Sequence, residues 1–207
     1  MKFQLAEKLQ MSQAFDDAGN VHAVTILRAP GVIVTDLKTS DRDGYQAIQV
    51  GMDEQKKQRV NNAELGSFGG TGYKTVREFR TETGDLQKGA TIKADIFNAG
   101  DIVQVAGLSK GKGFQGGVKR HGMSGGWNQH GQKHSHREIG SIGSTGQQRV
   151  NKGKRMPGRM GGNRVSVKNL QIFSVDAVNG FILIKGAVPG RRGTVIEIVS
   201  QATNSSK

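Results

Sequence analysis

"SKGKGFQGGVKRHGMSGGWNQHGQKHSHREIGSIGSTGQQRVNKGKRMPGRMGG" occupies residues 109–162 and decides how the chain divides. Between residues 110 and 168 stand 13 lysines and arginines and a single acid, Glu138, so this span carries +12 of the chain's +13. Residues 107–162 hold 16 of the 31 glycines and four of the five histidines. The apolar residues Phe114, Trp127, Ile139, Ile142, Met156 and Met160 are scattered through it. Such a segment cannot bury enough surface to offset the entropy of ordering its backbone, so composition predicts flexibility in isolation. A plain basic linker rarely carries aromatic and apolar residues among its charges. A segment ordered by a large RNA surface would use them to pack and stack.

Outward from this span the chain is electrically ordinary and reads as β-rich. Apolar, β-branched runs occur at 20–29, 31–38, 45–51, 90–97 and 101–107, most bounded by turn residues as in "DDAGN", "DRDG" and "FNAGD". They resume at 165–176, 180–188 and 193–199. About eight short strands around a long insertion predict a small closed or half-closed barrel. Val24, Ile26, Ile48, Val50, Ile182, Ile184, Ile196 and Ile198 alternate along these runs and are its expected core. The start, "FQLAEKLQMSQAF", suits helix or strand, residues 60–68 suggest a short helix, and residues 200–207 read as a disordered tail. The expected division is therefore 1–107, the first part of a barrel domain, 108–164, a basic extension, and 165–199, the strands that complete the barrel.

Lysine and arginine total 30 against 17 acids, which points to a polyanionic partner. No apolar run approaches the roughly 18 residues of a membrane span, and "MKFQLAEKLQ" lacks a signal-peptide core, so a cytoplasmic location without membrane association is expected. The absence of cysteine excludes disulfides and thiolate metal sites.

Three patterns in the basic span imitate catalytic motifs. Gly111, Gly113 and Gly116 spell G-x-G-x-x-G, but a dinucleotide turn needs a following helix and an acid about 20 residues on. "GGVKRHGMSGG" reads as no helix, and the distal region offers only Glu138. Ser124 in "GMSGG" matches a nucleophile elbow without the strand and helix that would flank it. His130, His134 and His136, with His121 nearby, lack the cysteine or carboxylate partners usual at zinc. No cofactor or metal is expected.

RNA binding accounts for all of these features together. Lysine and arginine neutralise phosphates, and glycine permits close approach and left-handed backbone. Phe114, the histidines and arginine planes suit stacking on unpaired bases. Trp127 fits base stacking better than packing against the extension. Arg191 and Arg192, in the turn after Pro189 and Gly190, suit either solvent or phosphate.

The blocks "SKGKGFQGGVKRHG", "HGQKHSHREIGSIG" and "KGKRMPGRMGG" resemble successive signatures of the bacterial-type large-subunit ribosomal protein three family, and "DGYQAIQVG" and "FILIKGAVPG" resemble its barrel strands. The resemblance implies a mainly β protein, with a six-stranded translation-protein-type barrel and an inserted, irregular extension reaching toward the peptidyl transferase centre. It implies a non-enzymatic protein that binds the 3′ region of 23S-type large-subunit rRNA, contacts neighbouring ribosomal proteins and helps nucleate assembly.

Matched residue by residue, the family's basic residues fall on Lys110, Lys112, Lys119, Arg120 and His121 on the way out and on Lys152, Lys154, Arg155 and Arg159 on the return. With Phe114, Trp127, His130, Lys133, His134, His136, Arg137, Arg149 and Arg164, read from their own chemistry, they make up the expected RNA-binding set. The tip nearest the catalytic centre falls at Ser144, Thr145, Gly146, Gln147 and Gln148. The family's tip glutamine is methylated in some bacteria, which implies a glutamine methyltransferase as a candidate partner and leaves three alternatives for the matching residue: Gln147, Gln148 or neither. "STGQQRVNKG" departs from the family pattern: it has no Pro-Gly pair, and Asn151 stands where phenylalanine is usual. Two other classes compete with this reading, a free RNA-binding or RNA-chaperone module and a serine hydrolase using Ser124.

Overall fold

The computed structural model describes residues 2–82, 84, 86–143 and 145–201. Its strands are β1 (Phe3–Phe15), β2 (Val21–Arg28), β3 (Val32–Lys38), β4 (Ala47–Gln55), β5 (Gly72–Phe79), β6 (Thr91–Ile92), β7 (Ile102–Leu108), β8 (Gly113–Gln115), β9 (Gly158–Met160), β10 (Arg164–Asp176), β11 (Phe181–Lys185) and β12 (Val195–Ser200). The helices are short: α1 (Ser40–Asp43), α2 (Asn62–Ser67) and α3 (Gly117–His121). The chain forms two compact units, one of Met1–Leu108 with Arg164–Lys207 and one of Ser109–Asn163.

In the first unit, six strands close a barrel in the order β1-β12-β7-β10-β11-β2, every neighbouring pair antiparallel. Closure leaves no open sheet edge within the barrel. Its interior is filled from alternate positions by Ala6, Leu27, Val103, Val105, Ile172, Ile182, Ile184, Ile196 and Ile198. Lys8 plugs one end, its Nζ donating to the carbonyls of Val188 (2.7 Å) and Gly190 (3.2 Å). Inserted between β2 and β7 is a second sheet, ordered β5-β4-β3-β6. Its core joins Val32, Val34, Ile48, Val50, Met52, Phe79 and Ile92 to Phe3 and Leu5 of β1, with Phe3 and Phe79 stacked at 4.6 Å. Strand β1 thus serves two cores: Ala6 faces the barrel interior, while Phe3 and Leu5 face the second sheet.

Several expectations are corrected. The barrel takes the six strands that the family resemblance implied and not all eight runs: those at 31–38 and 45–51 belong to the second sheet, so Ile48 and Val50 are core residues outside the barrel. From β2 the barrel interior receives Leu27, and from just past its end Ala29. Ile26 is only half-buried, while Val24 is buried as expected, outside the two main clusters. The run at 90–97 keeps two strand residues, then makes a 3-10 turn at Ala94–Ile96 that sends Ala94 and Phe97 into the barrel core. The ambiguous N-terminus is a strand of 13 residues. At 60–68 helix α2 forms over Asn62–Ser67, its Asn61 cap accepting from the Ala63 N–H. Of the tail, Ser200 ends β12, and residues 202–207 lie outside the described residues.

Strands β7 and β10 pair directly, with Leu108 opposite Arg164, so the inserted unit leaves and re-enters the chain at adjacent positions on two bonded strands.

Candidate nucleic-acid interface

The inserted unit, Ser109–Asn163, begins as a narrow two-stranded stem. The Ser109 N–H donates to the Asn163 carbonyl (2.9 Å), the Gly162 N–H to the Ser109 carbonyl (3.2 Å) and the Lys112 N–H to the Met160 carbonyl (2.9 Å). Beyond these, β8 and β9 pair with Phe114 opposite Arg159. The stem is tight enough to demand glycine at Gly161, where φ is +76° and an added Cβ would lie 2.1 Å from the Lys110 carbonyl oxygen.

After the stem the chain makes the single turn of α3, which ends at Gly122 in the left-handed region. The expectation of no helix after Gly116 is corrected by these five residues, since two flanking glycines permit a turn that composition disfavours. Helix α3 is tied to the returning strand: the Arg120 Nη1 donates to the Met156 carbonyl at 2.7 Å, and the His121 Nε2 lies 3.1 Å from the same oxygen. A Cβ at Gly117 would meet Ile139 Cγ2 at 2.4 Å and Met123 Sδ at 2.8 Å, so a miniature apolar contact forms where glycine leaves room. At Gly125 (φ +74°) a Cβ would stand 2.3 Å from the His136 carbonyl, which accepts from the Gly126 N–H. The inserted unit thus follows a hydrogen-bonded path.

Around that path the charges are presented outward. Lys110, Lys112, Lys119, Lys133, Arg137, Arg149, Lys152, Lys154, Arg155 and Arg159 are exposed, whereas Arg120 and His121 are half-buried and engaged with Met156. The unit's one carboxylate, Glu138, forms no ion pair with any described cation of the unit. In the first unit a subset of the cations is held in ion pairs. Lys2 pairs with Asp101, Arg28 with Glu7 and Asp53, Lys38 and Arg42 with Asp36 and Asp43, and Arg77 with Glu197. Arg164, placed by sequence with the RNA-binding set, falls on β10 in the first unit and shares Glu197 with Arg77.

Two large rings accompany the exposed cations, Phe114 at 77% and Trp127 at 82% exposure. His130 and His134 are exposed as well. His136 is half-buried, its Nδ1 enclosed without a partner. Ile139, Met156 and Met160 are half-buried, while Ile142 is exposed. At the tip, Thr145–Gln147 form one 3-10 turn and Gln148 takes a left-handed φ of 47°; Gly146, Gln147 and Gln148 are exposed. Ser144 lies outside the described residues.

No catalytic constellation assembles among the described residues. Gly111, Gly113 and Gly116 lie in the stem and at the start of α3, Ser124 is exposed with no hydrogen bond to a base, and no three His, Asp or Glu side chains converge as metal ligands. No helix among the described residues is long and apolar enough to cross a membrane. Sequence reasoning missed the internal role of Arg120 and the capture of Arg164 by Glu197. A small cue for the first was the Arg-His pair next to Gly122, a helix-ending signal with no apolar helix to serve. The second depends on the pairing of β7 with both β12 and β10, which no local pattern encodes.

The site is thus a surface of exposed cations on a unit inserted into a closed antiparallel barrel. Residues 45–180 match the family model of ribosomal protein L3. The chain is 45% identical over 199 residues to the large ribosomal subunit protein uL3 of an Exiguobacterium species, with 95% of each covered. It is 44% identical over 200 residues to that of Desulforudis audaxviator (95% and 93% covered) and 43% identical over 200 residues to that of Oceanobacillus iheyensis (95% of each covered). The chain belongs to the ribosomal protein L3 family, and with it to the structural constituents of the large ribosomal subunit.

Proposed function

We propose that the chain binds large-subunit rRNA directly through Ser109–Asn163, helps nucleate subunit assembly and reaches toward the peptidyl transferase centre with the tip around Thr145–Gln148. One contrast carries this reading: carboxylates hold Lys2, Arg28, Lys38, Arg42, Arg77 and Arg164 of the first unit, whereas among the described residues no cation of the inserted unit is held by the carboxylate of its own unit. Cations held apart from carboxylates are free to release counterions on meeting phosphate. Phe114, exposed opposite Arg159 on a two-stranded ribbon, offers a ring and a guanidinium plane side by side for unpaired bases. Trp127 supplies a second stacking surface. The glycines at positive φ let this backbone approach RNA without side chains in the way. Gln147 and Gln148 are both exposed, as a glutamine methyltransferase requires of its substrate.

The test is the salt dependence of binding to large-subunit rRNA. Engagement of about six to ten phosphates loses a factor of about 10³–10⁵ in affinity between 50 and 200 mM salt. Replacing Lys152, Lys154 and Arg155 by glutamine flattens that dependence. A dependence that is shallow in the full chain, or unchanged in the triple variant, contradicts the assignment.

A further inference from the structure

The β1–β2 hairpin outgrows the barrel. Strand β1 pairs with β12 only through Glu7, and β2 pairs with β11 only from Val24 onward, yet β1 and β2 continue together to Phe15 opposite Val21. A register shift between Lys8 and Gln10 changes which side chains of β1 face inward. Past it, Met11 lies opposite Thr25, Gln13 opposite Ala23 and Phe15 opposite Val21. Thr25 is buried two residues before Leu27, an interior residue of the barrel. By the two-residue period of a strand, the hairpin continues the barrel's inner face beyond its rim. That face is largely apolar and uncovered, with Met11 49%, Phe15 62% and Val21 56% exposed, Ala23 exposed beside them and Gln13 the one exposed polar side chain among them.

Charge indicates what covers it. Residues 9–27 contain no lysine or arginine and two acids, Asp16 and Asp17, in a chain of +13. The flanking cations are occupied internally, Lys8 with the Val188 and Gly190 carbonyls and Arg28 with Glu7 and Asp53. An RNA backbone would meet Asp16 and Asp17 with no lysine or arginine in the hairpin's own residues 9–27 to offset them. A second copy would bring acidic tips together, and four side chains fall well short of the ~800 Å² per partner of a stable free interface. A small apolar face suffices when another attachment already holds the partner close.

We propose that the far half of the β1–β2 hairpin docks a second, basic protein, which seats an apolar surface on Met11, Phe15, Val21 and Ala23 and sets lysine or arginine against Asp17. The inference rests on the proposed function only for its setting, the large subunit, where partner and chain are held together.

The test places a photoreactive benzoylphenylalanine at Phe15 of the full chain and, in a parallel chain, at Trp127, followed by irradiation of large subunits purified from cells expressing each. The Phe15 probe is expected to give a nuclease-resistant crosslink to a basic protein. Asp17→Lys in the same chain is expected to lower its yield about threefold, the scale of one exposed ion pair. Crosslinking of Phe15 to RNA, to a second copy of the chain or to nothing overturns the proposal, as does an undiminished yield with Asp17→Lys. The Trp127 probe reports separately on RNA binding: a nuclease-sensitive crosslink there with a silent Phe15 probe defeats only the docking surface. A silent Trp127 probe in a chain absent from large subunits defeats the proposed function.

Discussion

The Arg120 guanidinium donates to the Met156 carbonyl at 2.7 Å, joining the outgoing and returning strands of the inserted unit across 36 positions of sequence. Arg120 therefore works within the protein, unlike the exposed cations around it. Arg120→Ala is expected to speed amide exchange of α3 and of the residues flanking Met156, with the barrel's melting temperature unchanged. Hydrogen exchange resolved by residue checks this, and unaltered protection in α3 contradicts the clamp.

Gly161→Ala tests the stem. Its φ of +76° costs an L side chain about 1–2 kcal/mol, and the Lys110 carbonyl 2.1 Å from the new Cβ forces a backbone shift besides. Loss of protection at the Ser109 and Lys112 amides is the expected outcome, read by the same exchange measurement. Gly111→Ala, with nothing within 4 Å of its Cβ, is expected to be silent.

Core and surface are separated by two aliphatic truncations in the first unit. Ile198→Ala removes a fully buried side chain from the barrel interior and is expected to cost about 2–5 kcal/mol in denaturant unfolding. Val178→Ala, at a hairpin tip and 95% exposed, is expected to stay within about 0.5 kcal/mol.

The hairpin turn predicts an acid-side titration. Asp16 has its carboxyl lowered to about 2, first by the Asn20 side chain, then by the Asn20 backbone N–H, His22 and the Ala18 N–H. A depressed carboxyl contributes stability above its ordinary value of about 3.9, lost as pH falls through the folded value. The turn is therefore expected to hold through pH 3 and loosen near pH 2, seen as a titration of the Asp16 carboxyl carbon by NMR. A midpoint near 4 contradicts the bonding described.

Much of this was legible before any coordinates. Alternation along 180–188 and 193–199 located Ile182, Ile184, Ile196 and Ile198 correctly because each strand has one face in the barrel. The same reasoning faltered at β1, where Phe3, Leu5 and Ala6 are buried on opposite faces and the alternation of polarity disappears. It missed β5 altogether, since an edge strand carrying Lys74, Arg77 and Glu78 reads as a polar loop. In the inserted unit the composition showed where the free cations lie. The division of labour between Arg120, bound within, and Arg159, exposed, arises from a fold-back that only the three-dimensional path reveals.

The most direct test of the central claim compares the full chain with one in which Ser109–Asn163 is replaced by a short Gly/Ser loop, following each through a sucrose gradient after a high-salt wash. The account predicts that the full chain stays with mature large subunits while the shortened chain is lost from them or accumulates in lighter precursors. A full chain that washes off to the top of the gradient, or a shortened chain retained equally well, contradicts it.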